Sequence, residues 1–385
     1  LPEDVAGPLS DVEQEYIGAW VKQNDAAWRE FATGSAKSYC YRPYATDPND
    51  KDKPLWSLRL VHLPSLRELA RLGMWRCRID RQQGRIQECT EGYIAIARAG
   101  SHWQGKGTLL EQLVGLAIGG LARAEILNLV DAQKLSAAEL KTLQDQLSRV
   151  YPHGFPLMNM EGERLFFMDL VQHSFTDGGP GGGHLIPGRW EELQPLMPSV
   201  GDEQNVRLFS TAWSMIHAGR DETIAKANEL YELQAELMKM TPYQRHAGDL
   251  KMSDEILSSM PKYRYFLIER FVPASARVSD ITYRGKMGHE STLTVLALKR
   301  WRLEKGAYPQ TLDELIAGGF LKELPMDPYS DKPLVYKKTD DGFVLYSVGP
   351  NFKDDDGEVA MQNGRPRRWG TTEAGDIALW PLAKS

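Results

Sequence analysis

Apolar residues recur every three or four positions over most of this chain of 385 residues, and that period is typical of amphipathic α-helices. The pattern predicts one helix over residues 12–31, four helices between residues 55 and 151, and further helices over 161–174, 205–240, 254–271 and 273–305. Polar turns separate the four helices of 55–151, so we expect them to stack as helical hairpins in an α-solenoid-like layer.

Two local signals refine this prediction for the helical body. Ser136 and Glu139 have the spacing of a capping box, in which each side chain satisfies a free backbone amide of the other residue, and they mark a helix start. The helix before it, predicted over 108–129, carries small residues such as Gly115 and Gly119. Small side chains let neighbouring helices approach closely, so we expect this helix at the centre of the body.

The pattern changes near residue 273. A long helix is predicted to end at Gly306, and two runs of β-branched and aromatic residues follow, at 334–336 and 343–346. The turn sequence at 340–342, Asp-Asp-Gly, predicts that these runs pair as a hairpin. We therefore predict a mainly α protein: a helical-hairpin body, then a long helix with a small α+β domain built on an antiparallel sheet.

Three segments follow from these boundaries. Residues 1–54 hold an N-terminal helix and a polar loop. Residues 55–272 form the helical-hairpin domain, with an irregular glycine-rich segment at 175–204, and residues 273–385 form the long helix and the α+β domain.

Composition and charge exclude some classes of partner. With 46 Lys and Arg against 52 Asp and Glu, the net charge is −6, whereas nucleic acid binding requires a surplus of basic residues to neutralise phosphates. The longest uninterrupted run of apolar residues and glycine is 113–122, well short of the ~20 residues that span a bilayer, so no membrane span is predicted. The start at Leu1, without Met, is what a removed signal peptide, a removed anchor or a trimmed chain would each leave.

Metal-binding and redox motifs are not supported by the three cysteines. Cys40, Cys77 and Cys89 form no C-x-x-C pair. Cys77 and Cys89 fall on apolar faces of neighbouring predicted helices, where a buried free thiol is the simplest interpretation. A disulfide between them stays open for an exported protein.

Residues 100–108 match the spacing of a phosphate-binding P-loop, because Gly100 and Gly105-Lys106 are followed by Gly-Thr before a helix. A P-loop also needs a buried strand before it and slender residues within it. Here the preceding residues keep a helical period, and His102 and Trp103 are bulky. We therefore interpret the segment as a turn between helices.

Other candidate chemistry is sparse. The histidines form no H-x-x-x-H or H-x-H pair, and His62, His102, His173 and His217 each stand alone in the sequence. Glu161, Glu163 and Asp169 are candidates for the pair of carboxylates that hydrolysis of this type requires. An enzyme of hydrolase type, with a site between the helical body and residues 152–204, is therefore an alternative hypothesis.

The last part of the chain resembles the major pseudopilin family of type II secretion over residues 275–380. The resemblance is carried by a helix that ends in Gly-Ala-Tyr-Pro at 306–309, by Leu-Pro-Met-Asp-Pro-Tyr-Ser at 324–330, and by Leu-Tyr-Ser-Val-Gly-Pro at 345–350. Asp-Asp-Asp-Gly at 354–357 and Gly-Asp-Ile at 375–377 complete it. The segment before it also resembles a helical bacterial domain, and that resemblance implies no activity.

The resemblance implies a calcium site. In pseudopilins the loop after the Leu-Tyr-Ser strand binds Ca²⁺, which takes six to eight oxygen ligands. Carried over by position, the ligands would be the backbone carbonyls of Ser347 and Val348 and the carboxylates of Asp354, Asp356 and Asp376. The arginines of the insertion at 360–373 offer an alternative source of neutralising charge, and a solvated acidic turn is the structural alternative.

This chain also departs from the family. The family's helix is extremely apolar and anchors the protein in the membrane before assembly, whereas residues 274–288 here include Arg277, Asp280, Arg284 and Lys286. We therefore predict an exported, non-enzymatic protein of the cell envelope or exterior that binds other proteins, including copies of itself, in an oligomer or filament. A peptide-binding adaptor of a secretion system is a further alternative.

Overall fold

The computed structural model describes residues 10–44, 54–187, 189, 214–273, 275–359, 361–362, 365–366 and 375–382. It confirms the predicted fold class, a mainly helical chain with a small antiparallel β region near the C-terminal end. The body contains the helices α1 (Asp11–Gln23), α2 (Asp25–Ser35), α3 (His62–Gln82), α4 (Ile86–Ser101), α5 (Leu109–Ala132), α6 (Ala137–Ser148), α7 (Glu161–Ser174), α8 (Arg220–Lys239), α9 (Pro242–Ala247), α10 (Ser253–Ser259) and α11 (Phe266–Phe271). The long helix α12 (Ser275–Lys305) and the short helix α13 (Asp313–Ala317) follow.

Two predicted helices are each divided in the structure. The helix predicted over 12–31 breaks at Asn24, whose side-chain amide donates to Trp20 O at 2.9 Å and so competes with the helical bonds of the backbone. The run predicted over 254–271 breaks at Pro261, because proline disfavours the helical conformation of the residue before it, and Met260 is extended. Of the helix predicted over 205–240, residues 205–213 lie outside the described part.

Helix α5 lies at the centre of the body, as predicted, and packs against α3, α4 and α12. Glycines permit the closest approach: a Cβ on Gly115 would lie 2.6 Å from the carbonyl oxygen of Gly100, and a Cβ on Gly100 would lie 2.7 Å from that of Gly115. Among the described helices, α5 alone is long and apolar enough to cross a bilayer by length and composition. Most of its apolar stretch is buried inside the protein, which a central core helix also requires.

Helix α12 belongs to two hydrophobic cores. Its first half contributes Val278 to a core formed with α7, α8, α10 and α11. Its second half contributes Met287 and residues 295–298 to the main core, which also contains residues of α1–α6 and of the C-terminal domain. The predicted boundary near 273 is where α11 ends and α12 begins, but the packing is continuous across it.

The C-terminal domain, called the head below, contains the predicted hairpin. Its strands are β1 (Met326–Asp327), β2 (Lys332–Pro333), β3 (Val335–Lys338), β4 (Phe343–Ser347), β5 (Met361–Gln362), β6 (Arg365–Pro366) and β7 (Ile377–Trp380). The central sheet has the order β3-β4-β7 and is antiparallel, with Val335 opposite Tyr346 and Ser347 opposite Ile377. The turn between β3 and β4 closes with a hydrogen bond from Thr339 N to Gly342 O.

The head is fixed to the body at the turn between β1 and β2. Tyr243 N donates to Pro328 O at 3.0 Å, and Arg284 Nε on α12 donates to the Tyr329 hydroxyl at 2.7 Å. The His246 ring stacks on Phe352 with 4.0 Å between ring centroids and an interplanar angle of 3°. The short helix α9 therefore acts as the main contact of the body with this side of the head.

Cys77 and Cys89 are free thiols and are both buried. Burial raises the pKa of the Cys89 thiol to about 11, and it also raises the pKa of Cys77. Their role in the structure is therefore that of small apolar core residues.

Candidate functional site

The structure places the two predicted carbonyl ligands of calcium beside a buried carboxylate. Asp327 accepts hydrogen bonds from Ser347 Oγ at 2.7 Å, from Val348 N at 2.9 Å and from Tyr329 N at 3.0 Å. Burial raises the pKa of Asp327, and these hydrogen bonds oppose the shift. Asp327 thus fixes the end of β4 from inside the head, and the sequence analysis did not identify it.

The predicted carboxylate ligands after β4 are committed to groups of the chain itself. Asp354 Oδ1 accepts from the Tyr346 hydroxyl at 2.9 Å and from Asp356 N at 3.0 Å. The Asp356 side chain is almost fully exposed and forms an ion pair of 3.0 Å with Lys337. Each of these contacts is compatible with a turn stabilised without an ion.

Asp376 is buried and reaches the same loop from β7. Its carboxylate accepts from Gly357 N at 2.6 Å and from Asp355 N at 3.3 Å. Burial raises the pKa of Asp376, and the nearby charges of Asp354 and Asp355 raise it further. The structure therefore brings together Asp376 and the loop at 354–357, as the resemblance implies.

The carboxylates predicted to bind calcium have contacts within the chain itself in the described structure. Within the described ranges, no three His, Cys, Asp or Glu side chains are positioned to hold a metal ion together. Ca²⁺ takes six to eight oxygens, whereas the carboxylates here accept backbone amides or pair with lysine. Most of the insertion at 360–373 lies outside the described residues, and the calcium site stays a prediction.

The segment that matches the P-loop spacing is a turn between helices, as the sequence analysis interpreted it. Gly100 is the penultimate residue of α4, and Thr108 caps α5 together with Glu111. Lys106 Nζ donates to Cys40 O at 3.4 Å, so the lysine contacts a backbone carbonyl of the chain itself.

The turn at 102–108 lies beside a polar cluster that the sequence did not reveal. His62 Nε2 lies 3.2 Å from Glu111 Oε1, and both side chains are buried. The Trp103 ring stacks on His62 with 4.7 Å between centroids. Because 49 residues separate His62 and Glu111, no local motif identifies the pair, and His62 looked like an isolated histidine.

Glu111 is the centre of this cluster. Its Oε2 accepts from the Tyr44 hydroxyl at 2.7 Å, from Thr108 N at 2.8 Å and from Thr108 Oγ1 at 2.9 Å. Burial raises the pKa of Tyr44, and the hydrogen bond to Glu111 adds to the shift. The chemistry available is therefore that of a histidine held in one orientation by a carboxylate, which is how general bases are arranged in hydrolases.

The cluster lies beside the segment in which the hydrolase alternative places its site. Gln112, the neighbour of Glu111, donates from Nε2 to Asn159 O at 2.7 Å and accepts from Asn159 N at 2.9 Å. The three acids considered for hydrolysis have other contacts: Glu161 pairs with Arg164, Glu163 accepts from Leu109 N, and Asp169 accepts from Leu55 N.

The remaining histidines of the sequence analysis are separate from this cluster. His102 lies 3.0 Å from Lys37 O, and His217 Nδ1 lies 2.9 Å from Ala218 O. His173 is paired with Asp169 on the same helix.

Comparison with protein-family models, with curated proteins and with solved structures finds no match for this chain.

Proposed function

We propose that this chain is an exported, non-enzymatic assembly protein of the cell envelope, in which a helical body holds a pseudopilin-like head for contact with other proteins, including further copies of itself. The observation that carries the proposal is the position of α12, which contributes to both hydrophobic cores, one of which also contains the head. A head mounted in this way moves with the body as one unit.

The mounting of α12 distinguishes the proposed assembly from that of a pseudopilin. Val295, Leu296, Ala297 and Leu298 are fully buried inside this chain. Gln144 of α6 donates from Nε2 to Phe320 O at 2.7 Å and accepts from Arg300 Nη1 at 2.9 Å, so polar bonds also join α12 and the head to the body. Association between copies therefore uses surfaces other than the buried face of α12.

Exposed aromatic residues on the body are the candidates for such a surface. Tyr39 and Tyr41 are 72% and 78% exposed, and they lie two residues apart in a segment without helix or strand. Tyrosines are enriched at protein interfaces because they bury a large area at a small cost in conformational entropy. We expect this segment to contact a second copy or a partner protein.

Sedimentation velocity over a wide range of protein concentration, with and without calcium, tests the proposal. We expect a concentration-dependent oligomer that is weakened by exchanging both Tyr39 and Tyr41 for Ser. Tyr263→Ser, at an exposed tyrosine between α10 and α11, is the matched control and leaves the oligomer unchanged. A monomer at every concentration in both solutions would contradict self-association.

A second candidate function is favoured by the buried pair His62 and Glu111. We propose it as a hydrolase site in which His62 is the base that activates water and Glu111 orients its ring. A panel of ester, peptide and glycoside substrates tests it, with His62→Gln and Glu111→Gln as the variants and His102→Gln as the control. Hydrolysis that is equal in all four proteins, or is found in none, excludes this site.

A further inference from the structure

Arg123 is a buried arginine for which the described residues supply no carboxylate. Its side chain lies in the middle of α5 and is 7% exposed. Its guanidinium lies over the Phe155 ring, whose centroid is 5.9 Å from the guanidinium carbon. Other buried cations have acidic neighbours; Arg300, equally buried, lies 3.3 Å from Glu304 and bonds to Gln144.

Three further buried side chains around Arg123 have polar atoms without a hydrogen-bond partner of acceptable geometry within the described residues. These atoms are Gln104 Oε1, Tyr151 Oη and His289 Nδ1. The Tyr151 hydroxyl faces the side chains of Arg123 and Gln104, and both of these neighbours oppose the rise of its pKa. The residues come from four different places in the fold: the turn after α4, the centre of α5, the end of α6 and the middle of α12. A buried polar atom without a partner costs about 1–3 kcal/mol, so three around one buried cation require an explanation.

The groups converge beside Gly119. A Cβ built at that glycine would lie 3.1 Å from Arg123 Nη1, 3.3 Å from Gln104 Nε2 and 3.4 Å from Tyr151 Oη. Glycines also line the guanidinium on its other sides: a Cβ on Gly120 would lie 3.7 Å from Nη2, and one on Gly288 would lie 3.7 Å from Nε. The helices therefore place no side chain from these three positions against the guanidinium.

The neighbouring titratable groups do not provide the missing negative charge. Burial raises the pKa of Tyr151, so its phenol stays neutral near pH 7. Burial, followed by the charge of Arg123, lowers the pKa of His289 to about 3, so this ring is neutral as well. An isolated buried charge is strongly unfavourable, and an external anion would compensate it.

We propose that Arg123, Tyr151 and Gln104 form an internal binding site for a small oxyanion of the hydrogen carbonate class. Such an ion has two oxygens that accept from the guanidinium in the bidentate geometry that arginine favours for planar oxyanions. One of them also accepts from the Tyr151 hydroxyl, and the ion's own O–H donates to Gln104 Oε1. Formate provides the acceptor oxygens but lacks the O–H, so it is the weaker ligand.

The site lies between α5, which belongs to the body, and α12, which carries the head. Bound anion would therefore stabilise the junction on which the proposed rigid mounting depends, although the site itself does not depend on any function of the head. Its ligand class follows from the side chains of Arg123, Tyr151 and Gln104 alone.

Thermal unfolding of the full chain at pH 8 tests the proposal, with sodium hydrogen carbonate or sodium formate added at constant ionic strength against sodium gluconate, whose anion is a bulkier carboxylate. We expect hydrogen carbonate to raise Tm saturably, by about 2 °C at concentrations well above its Kd. Formate gives a smaller rise. Arg123→Met abolishes both effects, whereas the control Arg300→Met keeps them.

Gln104→Leu keeps the Arg123 guanidinium and is the second test variant, which is used if Arg123→Met does not fold. In Gln104→Leu the affinity for hydrogen carbonate falls to that for formate. Equal shifts of Tm in the wild type, Gln104→Leu and Arg300→Met would show an adventitious ion only and would overturn the site. Separate water molecules on Arg123 Nη1 and Nη2, in a high-resolution crystal structure with hydrogen carbonate present, would overturn it as well.

Discussion

The Thr241 hydroxyl donates a hydrogen bond of 2.6 Å to Asp331 Oδ1 and so connects the start of α9 in the body with the turn between β1 and β2 in the head. The two residues are 90 positions apart in the chain. Thr241 also caps α9 through a hydrogen bond from Gln244 N, so one side chain starts a helix and holds the head.

We expect the bond between Thr241 and Asp331 to contribute about 0.5–1.5 kcal/mol to the free energy of unfolding. A double-mutant cycle in urea with Thr241→Val and Asp331→Ala measures it, because the cycle separates the pairwise energy from the loss of the helix cap. Thr241→Ser keeps the hydroxyl and is the control. A coupling energy of zero would mean that the head is held by its other contacts alone.

Leu296 tests whether head and body unfold together. It is fully buried in α12, in the core shared by both parts, so Leu296→Ala should lower the free energy of unfolding by about 2–5 kcal/mol. Leu303→Ala, at a residue on the same helix that is 55% exposed, should change it by less than about 0.5 kcal/mol.

The measurement for this pair is circular dichroism of the helices alongside the near-ultraviolet signal of the aromatic residues, during denaturation. We expect both signals to shift together in Leu296→Ala. Two separated transitions would contradict the shared core.

His289 should make the protein lose stability in acid. Its folded pKa of about 3 lies below the ordinary value of 6.5 for histidine, so the unfolded chain binds the proton first as the pH falls. The stability contributed by neutral His289 is therefore complete above pH 6.5 and is lost as the pH falls through that window towards 3, with a slope of up to about 1.4 kcal/mol per pH unit.

Urea denaturation at several pH values between 7 and 4 measures this slope in the wild type and in His289→Gln, whose amide does not titrate. We expect a shallower pH dependence in the variant. Equal slopes would show that other groups, such as His217, whose pKa burial also lowers, account for the acid sensitivity.

Asp327 should be essential for the end of β4. Asp327→Asn replaces one of the two acceptor oxygens with an NH2 group, which cannot accept from Val348 N or Ser347 Oγ, so at least one buried donor loses its partner at a cost of about 1–3 kcal/mol. Hydrogen exchange measures the result: amides of residues 343–348 should exchange faster, while those of α3 and α4 should change less.

Asp341→Asn, in the exposed turn between β3 and β4, is the control for this substitution. It should leave the exchange of β4 unchanged. Equal exchange of residues 343–348 in both variants would contradict the role of Asp327.

The contact between His62 and Glu111 could not be predicted from the sequence. Glu111 was not identified in the sequence analysis, and His62 was treated there as an isolated histidine, because their contact depends on how the start of α3 meets the start of α5. Arg123 gave no signal either. Its significance comes from the absence of a paired acid among the described residues around it, and that is a property of the packed interior.

The sequence by itself determined the local elements of this protein. Helical periodicity located most helices, the Ser136 and Glu139 spacing located the start of α6, and Asp-Gly located the hairpin turn, since each signal depends on residues close together in the chain. Only the tertiary structure decided that α12 contributes to two cores and that Asp327 accepts hydrogen bonds from Ser347 Oγ and Val348 N. Burial and the pairing of distant polar groups depend on many weak contacts between segments that are far apart in the chain, so they cannot be predicted from a short stretch of sequence.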